Sequence, residues 1–344
     1  MLMIIVGAGA SYGCRPSWAE DNRRPPLAAD LFSPDFGDLL SGYGAARGLV
    51  QKLRRKLHGD NPEPLEELLA DLAAPESDSP GRRRELLALR MYIQNLMLEV
   101  TDSVRSTQGG VTLYDELVST VSEWSHRTGA GVLYVSLNYD LLLDDAVRDQ
   151  HGLHLQYMED YIEGEVKLIK PHGSADWRER TELQGKHRND AIAVAHELSP
   201  TGDVTLARRS VPVFLASNDV PFIPRLALPI MGKTDTVAPR EHIEAIRALQ
   251  GTVTGVVTIG WRGREPHLLP VMKEALSDDV RVTVVDADDH SGGVVASHLR
   301  EAWQLPAAPR WLSDGFAGLL EPDNGSSELD YVLRDLDHHH MASS

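Results

Sequence analysis

The chain reads as an α/β protein: a Rossmann-like parallel sheet with helices on both faces and a helical insertion after the first strand. Three observations predict this. Short β-branched apolar runs alternate with amphipathic stretches, the pattern from which parallel sheets are built. The first run, Leu2-Met3-Ile4-Ile5-Val6, is apolar without alternation, as a strand covered on both faces requires. The runs also stop at glycine- or proline-marked turns, at Gly7 and again at Pro171-His172-Gly173.

Each element follows from local pattern. After the first strand, Leu65, Leu68, Leu69 and Leu72 have helical spacing, as do Leu86, Leu87 and Met91 onward to Leu98. Val111 to Trp124 forms a further helix, and Asn61 to Pro64 and Pro75 to Gly81 are loops. Strands are expected at Val132 to Val135 and Lys167 to Ile169, with a helix starting at Leu141 between them. Residues 178 to 210 are polar and irregular, a loop with a small hairpin, and Val211 to Leu215 is a strand. Helices at Arg240–Leu249, Pro266–Leu276 and Val295–Trp303 then alternate with strands at Val253–Ile259 and Val280–Val285. The core is expected over about 1–18 and 129–305, the insertion over about 19–128, and the single domain over 1–336. Residues 337–344 are read as a tail whose His338-His339-His340 run could be an expression scar.

Composition narrows the function classes. With 344 residues, 42% of them apolar, the chain can bury a full core. Its 34 basic and 51 acidic residues give a net charge of −17, which opposes direct nucleic-acid binding. Cys14 is the one cysteine, too few for a zinc ribbon or a disulfide, so a reduced, cytoplasmic chain without a metal is expected. No run approaches the roughly 18 apolar residues of a membrane span.

Three strings carry the chemistry. Gly7-Ala8-Gly9-Ala10-Ser11 closes the first strand, where backbone N–H groups can approach a pyrophosphate. A tight turn with no ligand is the competing reading, and Tyr12 stands where a dehydrogenase fingerprint has Gly or Ala. Asn138 and Asp140 follow the second predicted strand and can bond ribose hydroxyls or a carboxamide; for Asp140, helix capping is the alternative. His172, held between Pro171 and Gly173, can take a proton from a ribose hydroxyl or orient water. Gly232-Lys233-Thr234 is not a phosphate loop, because Ala227 stands where that motif needs glycine. In Asp286-Ala287-Asp288-Asp289-His290, Asp286 is expected to end the last strand, ahead of a polar loop or helix cap. The basic strings at 52–56 and 82–84 are solvated helix faces.

In this order the strings resemble the motif set of the SIR2-like (sirtuin-like) NAD-binding family. Gly7 to Ser11 is similar to its Gly-Ala-Gly-x-Ser, Leu137 to Asp140 to its x-Asn-x-Asp, and Pro171 to Ser174 to its His-Gly-Ser. Gly260-Trp261-Arg262-Gly263-Arg264-Glu265-Pro266-His267-Leu268 resembles a later family segment, with Arg262 and Glu265 replacing its Ser and Asp. The four-cysteine zinc module of the deacetylases is absent, so the resemblance is to prokaryotic members that consume NAD+ in anti-phage defence. It implies an NAD+ glycohydrolase with Asn138 and His172 catalytic. Gly7, Ala8, Gly9, Ser11, Asp140, Gly260 and Asp286 would then hold NAD+, and no metal would be needed. It further implies a homo-oligomer with a separate partner, such as a HerA-like ATPase or an Argonaute-type protein. The alternatives are a protein deacylase or ADP-ribosyltransferase, and a non-catalytic NAD or ADP-ribose sensor.

Overall fold

The structure is a computed structural model that describes residues 1–15, 24–57, 65, 67–69, 79–107, 109–183, 190–213, 221–228, 237–321 and 325–342, the last five by backbone alone. Its strands are β1 (Leu2–Val6), β2 (Val132–Ser136), β3 (Val166–Ile169), β4 (Gly173–Leu183), β5 (Leu198–Leu206), β6 (Phe222–Leu226), β7 (Val253–Ile259), β8 (Leu276–Val285) and β9 (Arg310–Leu312). The helices are α1 (Ala8–Tyr12), α2 (Gly37–Ser41), α3 (Arg47–Leu57), α4 (Pro80–Thr107), α5 (Leu113–Thr128), α6 (Leu142–His151), α7 (Arg240–Arg247), α8 (Leu269–Ala275), α9 (Asp289–Trp303), α10 (Gly315–Leu320) and α11 (Glu328–Ala342).

Six strands form one parallel sheet in the order β3-β2-β1-β7-β8-β9. Without β4 to β6, this is the doubly wound order in which two halves run outward from a central pair. β1 lies at the centre because it is apolar on both faces. Ile4 is in register with Tyr134 on one side and Val257 on the other. Leu2, Ile4 and Val6 enter one core and Met3 and Ile5 the other. The first core is completed by α4, α5 and α6, with Tyr92, Leu96, Leu117 and Leu143 among its side chains. The second is closed by α7, α8 and α9 through Ile246, Met272 and Leu299.

The insertion between β1 and β2 is helical. Its α5 begins at a capping box, with Asp115 Oδ2 accepting the Thr112 N–H at 2.7 Å, and it ends at Gly129, φ +69°. Between β3 and β7 the chain builds a second, antiparallel sheet in the order β5-β4-β6. It packs on α4: Gln94 Nε2 donates to Ala175 O, and Gln94 Oε1 accepts from Val211 N–H.

Several element boundaries differ from expectation. Residues 211–213 are not a strand; the strand of this region is β6, whose Arg225 and Pro224 obscure its apolar pattern. The polar stretch from 178 is largely the β4–β5 hairpin. The helix expected from Pro266 spans only α8, because β8 begins at Leu276. Pro80 and Gly81 open α4 instead of lying in a loop, as proline tolerates a helix start. The chain continues past α9 through β9, α10 and α11. The tail boundary at 337 cuts a structural contact, since Asp337 accepts from Trp124 Nε1 at 2.7 Å and pairs with Arg127 at 2.8 Å. Gly232 to Thr234, Leu72 and the loop Asn61–Pro64 lie outside the described residues.

Candidate functional site

Adjacent strands whose connections leave in opposite directions open a crevice at their carboxyl ends. Here β1 and β7 are that pair: the chain after β1 returns through β2, and the chain after β7 through β8. Gly7 ends the first and Gly260 the second, and the two loops touch backbone to backbone. A Cβ on Gly7 would lie 2.5 Å from Gly260 O; one on Gly260, where φ is +58°, would lie 2.3 Å from Ala10 N. This contact engages the donors that a phosphate would use. Gly7 N–H donates to Ile259 O, Gly9 N–H to Gly260 O and Ala10 N–H to Gly7 O. Ala8 N–H is left without a partner among the described residues, and α1 is only five residues long. The glycines therefore have a packing reason, and the cradle is narrower than the sequence implies.

Asn138 joins the first two motifs directly. It is buried just beyond β2, and its Nδ2 donates to Gly7 O and to Ser11 Oγ, both at 2.8 Å. The Ser11 hydroxyl also meets the Tyr114 hydroxyl at 3.0 Å, and the Asp140 carboxyl is the acceptor left for its proton. One arrangement satisfies every group: Asn138 and Tyr114 donate to Ser11, and Ser11 donates to Asp140. Burial, then the Asp140 charge, pushes the Tyr114 phenol well above its usual range, which keeps it a donor. Both Asn138 amide hydrogens are thus engaged, and Oδ1 is the part of the side chain available to a ligand.

Asp140 is 4% exposed and its Oδ1 accepts from Leu142 N–H at 3.2 Å, the capping contact that is its structural alternative. Burial raises its carboxyl pKa, and the nearby Lys170 charge opposes the rise. Lys170 is wholly buried after the apolar strand β3. Its Nζ donates to Asp140 O and Asp144 Oδ2, both at 2.7 Å. Asp176 lies in the same cluster, its pKa pushed up to about 6 by burial and by the Asp144 charge.

His172 stands on the turn after β3. The turn is fixed by Val237 N–H donating to Pro171 O and Ala227 N–H donating to His172 O, at 2.9 and 2.8 Å. Gly173 has φ +80°, and a Cβ there would lie 2.1 Å from Arg225 O. The His172 ring is half-buried and lies 6.3 Å, centroid to centroid, from that of His267 on the loop after β7.

Asp286 directly follows β8, one strand beyond Gly260, whose N–H donates to O of Val285, the last residue of β8. Its Oδ1 accepts from Ala287 N–H, while Asp288 caps α9. The fold thus gathers Gly7 to Ser11, Asn138 and Asp140 into one network, with His172 and Gly260 at neighbouring strand ends and Asp286 at the far side. Sequence reasoning passed over Tyr114, hidden on a helix face, and Lys170, whose signal was a lysine ending an apolar strand. Glu265 accepts from Trp261 Nε1 at 2.6 Å, which anchors the loop carrying His267. A hollow lined by Tyr12, Arg24, Pro25 and Asp30 opens beside α1; Asn138, Asp140 and His172 do not line it.

Burial pushes the Cys14 thiol up to about 12, with the Asp140 charge adding to the effect. Among the described residues, no group of three or more His, Cys, Asp or Glu is placed to hold a metal ion. No described helix is long and apolar enough to cross a membrane.

No family model and no curated protein matches the chain. Solved structures similar to it include a Sir2-homologue mutant complexed with 2′-O-acetyl ADP-ribose, at 11% identity and TM-score 0.45, covering 98% of this chain and 92% of that one. A Sir2 homologue–NAD complex is similar at 12% identity and TM-score 0.44, covering 98% and 90%. A Sir2 enzyme described for its mechanism and regulation is similar at 13% identity and TM-score 0.42, covering 98% and 92%.

Proposed function

We propose that the chain is a SIR2-like NAD+ glycohydrolase, cleaving NAD+ to ADP-ribose and nicotinamide. The reading rests on one observation: Asn138 hydrogen-bonds both Gly7 and Ser11 at the carboxyl ends of adjacent parallel strands, with His172 on the turn after the next strand, β3. Asn138 Oδ1 orients a ribose hydroxyl and the attacking water. His172 accepts a proton as the water oxygen bonds to C1′. The C1′–nitrogen bond breaks, and its electron pair leaves with nicotinamide, neutralising the pyridinium. The protein's share of the work is to hold an oxocarbenium-like centre and admit one water. Asp140 acts through Ser11, Ala8 N–H faces a phosphate, and Gly260 and Asp286 border the adenosine half.

We assign the activity to anti-phage defence by NAD+ depletion. It belongs to a cytoplasmic homo-oligomer controlled by a separate protein, such as a HerA-like ATPase or an Argonaute-type protein. That part rests on the motif resemblance. The test is nicotinamide release from NAD+ by the purified chain, alone and with proteins encoded beside it. His172→Ala should lose turnover and keep ADP-ribose binding. ADP-ribose binding with no release in any mixture would make the chain a sensor. Release only with an acylated or acceptor protein would make it a deacylase or transferase.

A further inference from the structure

Lys170 ties together the two strings that carry Asn138 and His172. Its carbonyl accepts the Gly173 N–H at 3.0 Å, closing the turn on which His172 stands. Its Nζ crosses to the other string, donating to Asp140 O at 2.7 Å, and also to Asp144 Oδ2 on α6 at 2.7 Å. A second strut runs beside the first: Ala175 N–H, on β4, donates to Tyr139 O at 2.8 Å. Asp144 is itself held. Its Oδ1 accepts from the Tyr161 hydroxyl at 3.4 Å, and that hydroxyl accepts from Trp177 Nε1 at 3.3 Å. The Lys170 and Asp144 side chains are both wholly buried.

A buried ammonium–carboxylate pair adds little net stability, because desolvating two charges offsets their attraction, and apolar side chains of similar volume would fill the same space. What the charged pair adds is direction. A buried ammonium must be met by acceptors at hydrogen-bond distance, so the Asp140 carbonyl cannot drift from the end of β3 without leaving a donor unpaired. We infer that Lys170 is a positioning residue: it fixes the Asn138–Asp140 loop against the His172 turn and touches no substrate. This role deepens the NAD+ reading and rests on it for the reaction, in which the water oriented by Asn138 gives its proton to His172. A shift of about 1 Å between those two groups would cost ~10²-fold in rate.

The test uses the full chain as K170M and as the double variant K170M/D144N. K170M alone leaves the Asp144 charge buried without its partner and should melt well below wild type. The double variant removes both charges and should recover most of that loss, yet its Asp140 carbonyl is still unclamped. In whatever mixture activates wild type, its kcat for nicotinamide release should fall ~10-fold or more, while ADP-ribose affinity stays within about twofold. Amide hydrogen exchange should rise about tenfold at 138–141 and 172–175 and stay unchanged in β1 and β7. A folded double variant with wild-type kcat would overturn the assignment. So would faster exchange throughout the sheet, which would make Lys170 a structural residue only. If wild type releases no nicotinamide in any mixture, the NAD+ reading falls. The clamp itself then stands if exchange rises in those two segments alone, and falls if it does not.

Discussion

At the scale of single residues, Asn138 has two duties. Its amide hydrogens hold Gly7 and Ser11, and in the proposed function its oxygen meets the ligand. Asn138→Ala should therefore lower stability by about 1–3 kcal/mol, because it leaves a buried carbonyl and hydroxyl short of a donor. It should also cut NAD+ cleavage by ~10² or more, as loss of a transition-state contact does. Urea unfolding and nicotinamide release measure the two separately, and a stable variant with full turnover would refute both. Asp176 supplies a pH test. Its folded carboxyl binds a proton more tightly than in the unfolded chain, so its contribution to stability is complete below the unfolded value of ~3.9 and lost as pH rises through about 6. Asp176→Asn should flatten that fall and leave the protein roughly 1–3 kcal/mol more stable than wild type at pH 7.5. Denaturation midpoints from pH 4 to 8 check it; an unchanged slope would remove Asp176 as the cause. Asn138, Asp140 and His172 could be singled out in the sequence because polar residues after apolar runs mark strand ends. Tyr114 could not, since its place in the network comes from contacts with Ser11 and Asn138, in segments far apart in the chain.

At the scale of elements, the strand-to-loop junctions carry most of the constraint. Gly260 and Gly251 both adopt left-handed backbone, φ +58° and +69°, but only Gly260 is crowded. A Cβ on Gly260 would meet backbone of Gly9 and Ala10 within 2.4 Å, whereas one on Gly251 meets nothing nearer than 4.0 Å. Gly251→Ala should cost about 1–2 kcal/mol, the left-handed penalty alone. Gly260→Ala should cost more than ~3 kcal/mol, strain and overlap together, because neither loop can yield without shifting β1 or β7. Equal losses in a chemical denaturation series would show that the two loops do not pack as described. The parallel strands were legible because continuous burial writes itself as an apolar run. β6 was not, because Arg225 and Pro224 interrupt its pattern, and β9 was not, because three edge residues leave too short a signal.

At the scale of the whole molecule, the doubly wound sheet was readable from alternation, whereas the antiparallel sheet between β3 and β7 was readable only as a small hairpin. Its strands are half-polar and stabilised by α4, from a part of the chain that gives no local hint of the pairing. The central position of β1 has a consequence for how the protein is made. β1 leaves the ribosome well before its partners, which are β2, starting at Val132, and β7, starting at Val253. At usual elongation rates Leu2 to Val6 waits on the order of ten seconds for its first neighbour and longer for its second. Throughout that wait an apolar strand has both edges open, the condition under which nascent chains associate with one another. Expression yield should therefore rise with co-produced chaperone and fall with faster synthesis. Refolding from denaturant should lose yield steeply as protein concentration increases, and a concentration-independent yield would show that the helical insertion shields β1 before its partners arrive.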